Sequence, residues 1–406
     1  MDTPRVPETL QARCCIVGGG PAGIMLGYLL ARQGTDVLVL EKHADFLRDF
    51  RGDTIHPSTL EIMGELGLLE EFLTRPHQEV QSANLRIGDT LLKLGDFSHL
   101  PTHCKFLVFM PQWDFLDFLV GHARSYPGFH LRMRTEAVDL IEEGGRISGV
   151  RAMTPDGPLD VTCDLVVAAD GRHSVMRQKA GLPVIDIGAP MDVLWLRVSK
   201  LPSDPTNLLG HIEAGRMLVM LDRGDYWQCA YLIPKGTFET VRQDGIDAFR
   251  RNLASLAPFL GARTEEIRGW DDIRLLTVTV DRLTQWSRPG LLCIGDAAHA
   301  MSPIGGVGIN LAIQDAVATA NLLGPSLKKG TPAPETLALV QKRRELPTRL
   351  TQGLQVLIQK RLIDPVLKTT GPVSAPWLLR VLAGVPWLRR LPARLIGIGF
   401  RPEHVR

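Results

Sequence analysis

Apolar residues follow two rhythms along this chain, and their alternation is the first guide to its fold. "CCIV" at 14–17 is a continuous apolar run of strand length. "PAGIMLGYLLARQ" at 21–33 then reads as a helix, and "DVLVL" at 36–40 as a second strand closing on Glu41. Similar strand-like runs occupy 165–169 and 291–294, closing on Asp170-Gly171 and Gly295-Asp296. Helical patterns resume from Ser174 and after the glycines that end at Gly308. Residues 136–163 alternate in short stretches around "EEGGR" and "PDGP", which predicts an antiparallel meander returning to the 165–169 strand. Residues 80–94, 192–198, 217–222 and 227–233 also read as strands. After Asp364, tryptophans and leucines recur between prolines, which predicts short amphipathic helices.

Composition narrows the class. The 406 residues suffice for two intimately joined domains, and 45% hydrophobic with 22% charged residues is ordinary globular usage. A formal net charge of +2 gives no general pull toward nucleic acid. No run is apolar enough for a spanning helix, and "MDTPRVPETLQARC" lacks the apolar centre of a secretory signal. Six scattered cysteines without a CxxC pair suggest reduced thiols and a cytoplasmic setting. His99, His103 and Cys104 invite a metal reading, but no further spaced ligand pair supports it, so no metal is expected.

Candidate chemistry lies at the strand ends. Gly18, Gly20 and Gly23 match G-x-G-x-x-G between a strand and a helix. The first permits a tight turn, the second lets a pyrophosphate approach the backbone, and the third allows close helix–strand packing. Glu41, with Lys42 beside it, stands where a carboxylate would accept ribose hydroxyls. This much fits NAD(P) or FAD. The stretch "GDAAHAMSPIGGVGIN" adds a second grip: Asp296 for a polyol, then a helix start behind Pro303, Gly305, Gly306, Val307 and Gly308. Helix-start N–H groups favour the negative charge that a reduced flavin carries, whereas NAD would leave this grip unexplained. His299 is a candidate proton carrier, with capping or packing as the alternative.

"GGGPAG" with Glu41, "AADGRHSVMR" and "GDAAHAMSPIGGVGIN" together resemble the FAD-dependent aromatic hydroxylases, single-component flavoprotein monooxygenases of the p-hydroxybenzoate hydroxylase type. The resemblance spans about residues 13 to 350. It implies an α/β fold: a Rossmann-like FAD domain with an inserted antiparallel-sheet substrate domain and a C-terminal helical tail. The FAD domain would comprise 1–78, 111–185 and 286–364, the sheet domain 79–110 and 186–285, and the basic tail 365–406. It also implies that Arg51 lies by a mobile flavin, and that Gln112 holds a cofactor-contacting position often taken by arginine. Asp170 matches a position linked to FAD and to nicotinamide access. Val307 stands where the related pattern usually has glutamine, which leaves only the backbone role.

The implied reaction takes hydride from NADH or NADPH, forms a flavin C4a-hydroperoxide with O2, and hydroxylates a small aromatic substrate. An FAD-dependent reductase or dehydrogenase of a prenyl or quinone compound is the alternative enzyme, and a non-catalytic FAD-binding subunit the third reading. Trp195, Met220, Gln228 and Tyr231 are candidate pocket residues on the predicted sheet. Its mostly apolar segments favour a flat hydrophobic phenolic, quinolone-like or polycyclic substrate. The tail, basic and without acids from 365 to 402, is expected to dock on its own domain, with a partner subunit or an anionic membrane as alternatives. The protein is expected to be a monomer or homodimer.

Overall fold

Apolar strands that alternate with helices need both faces covered, which a mostly parallel sheet provides. The computed structural model describes residues 7–47, 54–205 and 210–406, so Arg51 lies outside the described residues. Across the first sheet the strands run Ser287–Arg288, Leu291–Cys293, Gly157–Ala168, Glu8–Val17, Val37–Leu40 and Phe129–Arg132. All neighbours are parallel except Ser287–Arg288, which turns back on Leu291–Cys293. Cys14, Cys15, Ile16, Val166, Val167 and Leu292 are wholly buried between the helix layers.

Register decides where a ligand would sit. Val17 lies opposite both Ala168 and Leu40, and Ala168 lies opposite Cys293. The four carboxyl ends therefore finish in one row. From Glu8–Val17 the chain passes to Val37–Leu40 on one side and later returns to Gly157–Ala168 on the other. That reversal opens the crevice in which doubly wound sheets bind ligands. The meander is formed by Glu136–Glu143 and Arg146–Thr154, which pair antiparallel and lead into Gly157–Ala168.

The second sheet runs Arg274–Leu276, Met191–Ser199, Tyr226–Pro234, Arg216–Asp222, Gly210–Glu213, Ser82–Ile87 and Thr90–Asp96. The stretch 80–94 is a hairpin, turning at Gly88 with φ +52°. Segment 79–110 is divided: Leu107–Phe109 pairs with Thr54–Ile55 and Gln78–Val80 in a small third sheet. "LVFM" has no alternation to assign it to either layer, so only pairing decides.

The tail forms two short helices, Trp377–Gly384 and Arg390–Gly397, both packed on the Thr90–Asp96 strand. Ala393 is buried among Phe97, Leu100 and Phe109, with Ile396 and Ile398 alongside. Among the described residues no helix is long and apolar enough to cross a membrane.

Candidate functional site

Backbone crowding shapes the first turn. Gly18 has φ +108°, and a Cβ there would lie 2.4 Å from the Ala169 carbonyl oxygen. A Cβ on Gly23 would lie 1.9 Å from the Gly18 oxygen, so helix and strand can approach this closely only without one. At Gly20 the same test finds nothing within 4 Å: the turn is open on the side where a phosphate would rest. The Pro21–Arg32 helix starts there without a side-chain cap, leaving N–H donors for an anion. Glu41, 8% exposed, accepts the Gly19 N–H at 2.9 Å and the His43 N–H at 3.0 Å. Lys42 is exposed beside it. Gln112 is half-buried in the first turn of the Gln112–Ala123 helix, which packs on Pro21–Arg32.

The Asp170 end is occupied with its own turn. Its carboxylate accepts Ser174 Oγ–H at 2.5 Å and the Met176 N–H at 3.2 Å. Burial raises its pKa against those bonds. Just beyond, Arg172 Nη2 lies 3.5 Å from Asp296 Oδ2, joining the second and third strand ends. Arg177 forms a buried pair with Asp281 at 3.0 Å and also donates to the Arg172 carbonyl at 2.6 Å.

The second turn lies against the first. A Cβ on Gly295 would sit 3.2 Å from the Cβ atoms of Ala22 and Ala312, one from each glycine-led helix. Its N–H donates to Asp315 Oδ2 at 3.0 Å, and Asp315 also meets His299 Nε2 at 2.6 Å and Arg344 Nε at 2.9 Å. Arg344 continues to Glu403 at 3.5 Å, and Arg343 reaches Glu403 at 2.7 Å. Asp315, His299 and Arg344 are at most 1% exposed. Burial alone would raise the Asp315 carboxyl, but His299 and Arg344 outweigh it and hold it below the usual range. Of the two roles expected for His299, this geometry favours packing and positioning over proton carriage.

Past Asp296, Pro303 has φ −67° and leads into Gly305 and Gly306 at φ +75° and +62°. A Cβ on Gly306 would be 2.9 Å from Thr54. Val307 precedes the Gly308–Leu327 helix, which starts without a side-chain cap. Asn310 Oδ1 accepts the His56 N–H at 2.9 Å and Thr59 Oγ–H at 2.6 Å, while Nδ2 donates to the Thr54 carbonyl at 3.1 Å. From the Pro334–Ile358 helix, Gln355 donates to the Ser302 and Ile304 carbonyls, each at 2.9 Å. His56 Nδ1 lies 2.7 Å from the Ile396 carbonyl in the tail, and burial lowers the His56 pKa to about 4. Sequence reasoning missed Arg172, Asn310, Asp315, Arg344 and Glu403. For Asn310, Asp315 and Arg344 the signal was a polar residue set within a helical run; Arg172 and Glu403, outside helices, had none.

The second sheet sends its alternate residues to opposite sides. Val193, Ala230 and Leu232 form a cluster with Trp195, Val219 and Ile304, so this face meets the second turn. Gln228 alternates onto the same face and accepts Arg223 Nε–H at 3.0 Å. Met220 and Tyr231, expected in the pocket, are on the other face. Tyr231 packs edge-on against Phe249 at 5.1 Å, and burial pushes its hydroxyl up to about 12. Alternation relates neighbours but does not say which side meets the crevice. Away from the crevice, His103 pairs with Glu61 at 3.0 Å and Cys104 is buried.

A crevice open at Gly20, two uncapped helix starts and a half-exposed carboxylate at Asp296 together fit an extended dinucleotide. The sequence matches the FAD binding domain family over residues 11–353, and the chain belongs to that family. It is an FAD-dependent monooxygenase, an oxidoreductase. The 6-methylpretetramide 4-monooxygenase of Streptomyces rimosus is 32% identical over 375 residues, 92% of this chain and 88% of that protein. The p-nitrophenol 4-monooxygenase of Pseudomonas putida DLL-E4 superposes with TM-score 0.76 at 20% identity, covering 95% of this chain and 97% of that one. PqsL of P. aeruginosa in complex with 2-aminobenzoylacetate gives TM-score 0.74 at 22% identity, covering 87% and 97%. These two structures bear on the fold alone.

Proposed function

We propose that the chain hydroxylates a flat, largely hydrophobic aromatic compound, consuming O2 and either NADH or NADPH. FAD, when bound, supplies the transfer of electrons from nicotinamide to oxygen. Gly18, Gly20 and Gly23 would cradle its pyrophosphate, and Glu41, flanked by Lys42, would accept ribose hydroxyls. Gln112 would contribute an amide from its helix start. Asp296, steadied by Arg172, would bind the polyol. Pro303, Gly305, Gly306, Val307 and Gly308 would bring bare backbone to the ring. Asp170 would act through the turn that it braces, and Arg51 would be the residue that positions the flavin.

One observation carries the substrate class: the apolar face of Val193, Trp195, Val219, Ala230 and Leu232 clusters with Ile304 of the second turn. A small dianionic acid would need several convergent cations, whereas this face offers an apolar wall that excludes water. The tail supports delivery from an anionic membrane surface, since Trp377, Leu378, Trp387 and Leu391 stand exposed among Arg380, Arg390 and Arg394.

The test is mass spectrometry of products formed under isotopically labelled O2 from a panel of phenols, quinolones and polycyclic aromatics. The expected result is one labelled oxygen in an apolar product, with NAD(P)H oxidation stimulated by that compound. Substrate reduction without oxygen would favour the quinone or prenyl reductase instead. Neither activity in FAD-loaded protein would favour a binding subunit. Coupled hydroxylation of a dicarboxylated aromatic with apolar phenols inert would overturn the substrate class.

A further inference from the structure

Beyond Leu337 and Val340, the Pro334–Ile358 helix buries mostly polar side chains. Its buried face carries Arg344, Thr348, Thr351, Gln352 and Gln355, several bonded to the second turn. Its outer face carries Leu339, Leu346, Leu350 and Leu357, which are 44%, 54%, 43% and 54% exposed. Single exposed leucines are ordinary, but an aligned row is not. At roughly 100° per residue, these four fall within about 40° of one another, on one line about 27 Å long.

Their spacing is seven, four and seven residues, symmetric about Thr348. A two-fold axis across an antiparallel helix pair needs that symmetry, because each residue must meet the mirror position of the other copy. Leu339 would meet Leu357, and Leu346 would meet Leu350, each contact occurring twice. Charge agrees with this direction. Exposed Glu335 lies at one end of the row and exposed Lys360 and Arg361 at the other, so antiparallel pairing sets acid against base at both ends. Parallel pairing would set like charges together. Gly353, also exposed, has nothing within 4 Å of its Cβ position and would let the second backbone come close.

We infer that this leucine row is an isologous interface, and that the protein forms an antiparallel homodimer through its Pro334–Ile358 helices. Sedimentation of the FAD-loaded protein at micromolar concentration should give twice the chain mass, and Leu346→Glu with Leu350→Glu should return it to one chain. Both side chains face solvent in the single chain, so thermal midpoint and FAD content should hold. Crosslinking fixes the direction. Five of the six cysteines are buried and Cys163 is half-buried, so the background is low. Leu339→Cys protein mixed with Leu357→Cys protein should form a disulfide-linked pair on mild oxidation, while neither variant alone should. A monomeric mass, or a dimer indifferent to the glutamates, overturns the inference. Linkage of Leu339→Cys protein to itself would show a parallel pair and overturn it as well. A monomer that binds anionic vesicles only while both leucines are intact would assign the row to a lipid surface instead.

Discussion

The two turns facing the crevice are built by opposite means. The Gly18–Gly23 turn is a matter of space: two glycines stand where backbone atoms 1.9 and 2.4 Å away admit no Cβ. Everything that shapes it lies in neighbouring strand ends. The Gly295–Asn310 turn is a matter of side chains: Asp315, Arg344, Gln355 and Asn310 reach it from two long helices. The first is held by crowding, and the second by buried hydrogen bonds from Asp315, Gln355 and Asn310. Damage should therefore look different in each.

The largest effect should come from the crowded turn. Gly23→Ala drives a methyl into the Gly18 carbonyl, beyond the roughly 1–3 kcal/mol typical of overpacked sites. The expected outcome is little soluble protein and no bound flavin absorbance. Gly20→Ala is the control, since its Cβ meets nothing: it should fold normally and lose FAD affinity only. Equal behaviour of the two variants would break the distinction.

Next comes the network behind the second turn. Asp315→Ala removes the carboxylate shared by His299 and Arg344, leaving Arg344 only its longer contact to Glu403, and removing one member of a buried pair typically costs about 3–5 kcal/mol. Denaturant unfolding should show that loss, together with faster FAD dissociation. A third and smaller effect is expected at the surface of the same turn. Asp296→Ala should weaken FAD binding by about 1.5–3 kcal/mol, the range for hydrogen bonds to a charged group, with stability of the FAD-free protein preserved. Fluorescence titration with FAD would measure it, and undiminished affinity would remove Asp296 from the grip.

How much of this was legible in the sequence follows from the same contrast. Gly18, Gly20, Gly23 and Glu41 could be read from spacing because steric demands act between near neighbours. The strand ends at Asp170 and Asp296 could be read from apolar runs. Glu403 could not, since its bond to Arg344 spans 59 positions with no motif at either end. Met220 and Tyr231 were misplaced because alternation gives two faces without naming the inner one. Asp170 was read as a position linked to FAD and to nicotinamide access, and its bonds to Ser174 and Met176 are local turn contacts that apolar patterning does not show.

The smallest effect is one of pH, and it separates the turns again. The folded Asp315 carboxyl is held below its ordinary value of 3.8. Its contribution is therefore fully present well above that value and is lost as pH falls through the depressed one. Thermal midpoints followed from about pH 5 to 3 should fall, and Asp315→Asn should flatten that slope. An unchanged slope would mean that other carboxylates govern acid loss.

Glu403 has a consequence for how the protein is made. A ribosome delivers the chain from its N-terminus, so the first glycine turn can close early in synthesis. The second is completed only later, because Arg344 also pairs with Glu403 and the Glu403 N–H bonds to Gln314, and that glutamate is added roughly a hundred residues after Asp296. Until then a nascent chain holds half a cofactor site. Loading with FAD should wait until Glu403 has emerged, and a chain stalled before it should be colourless.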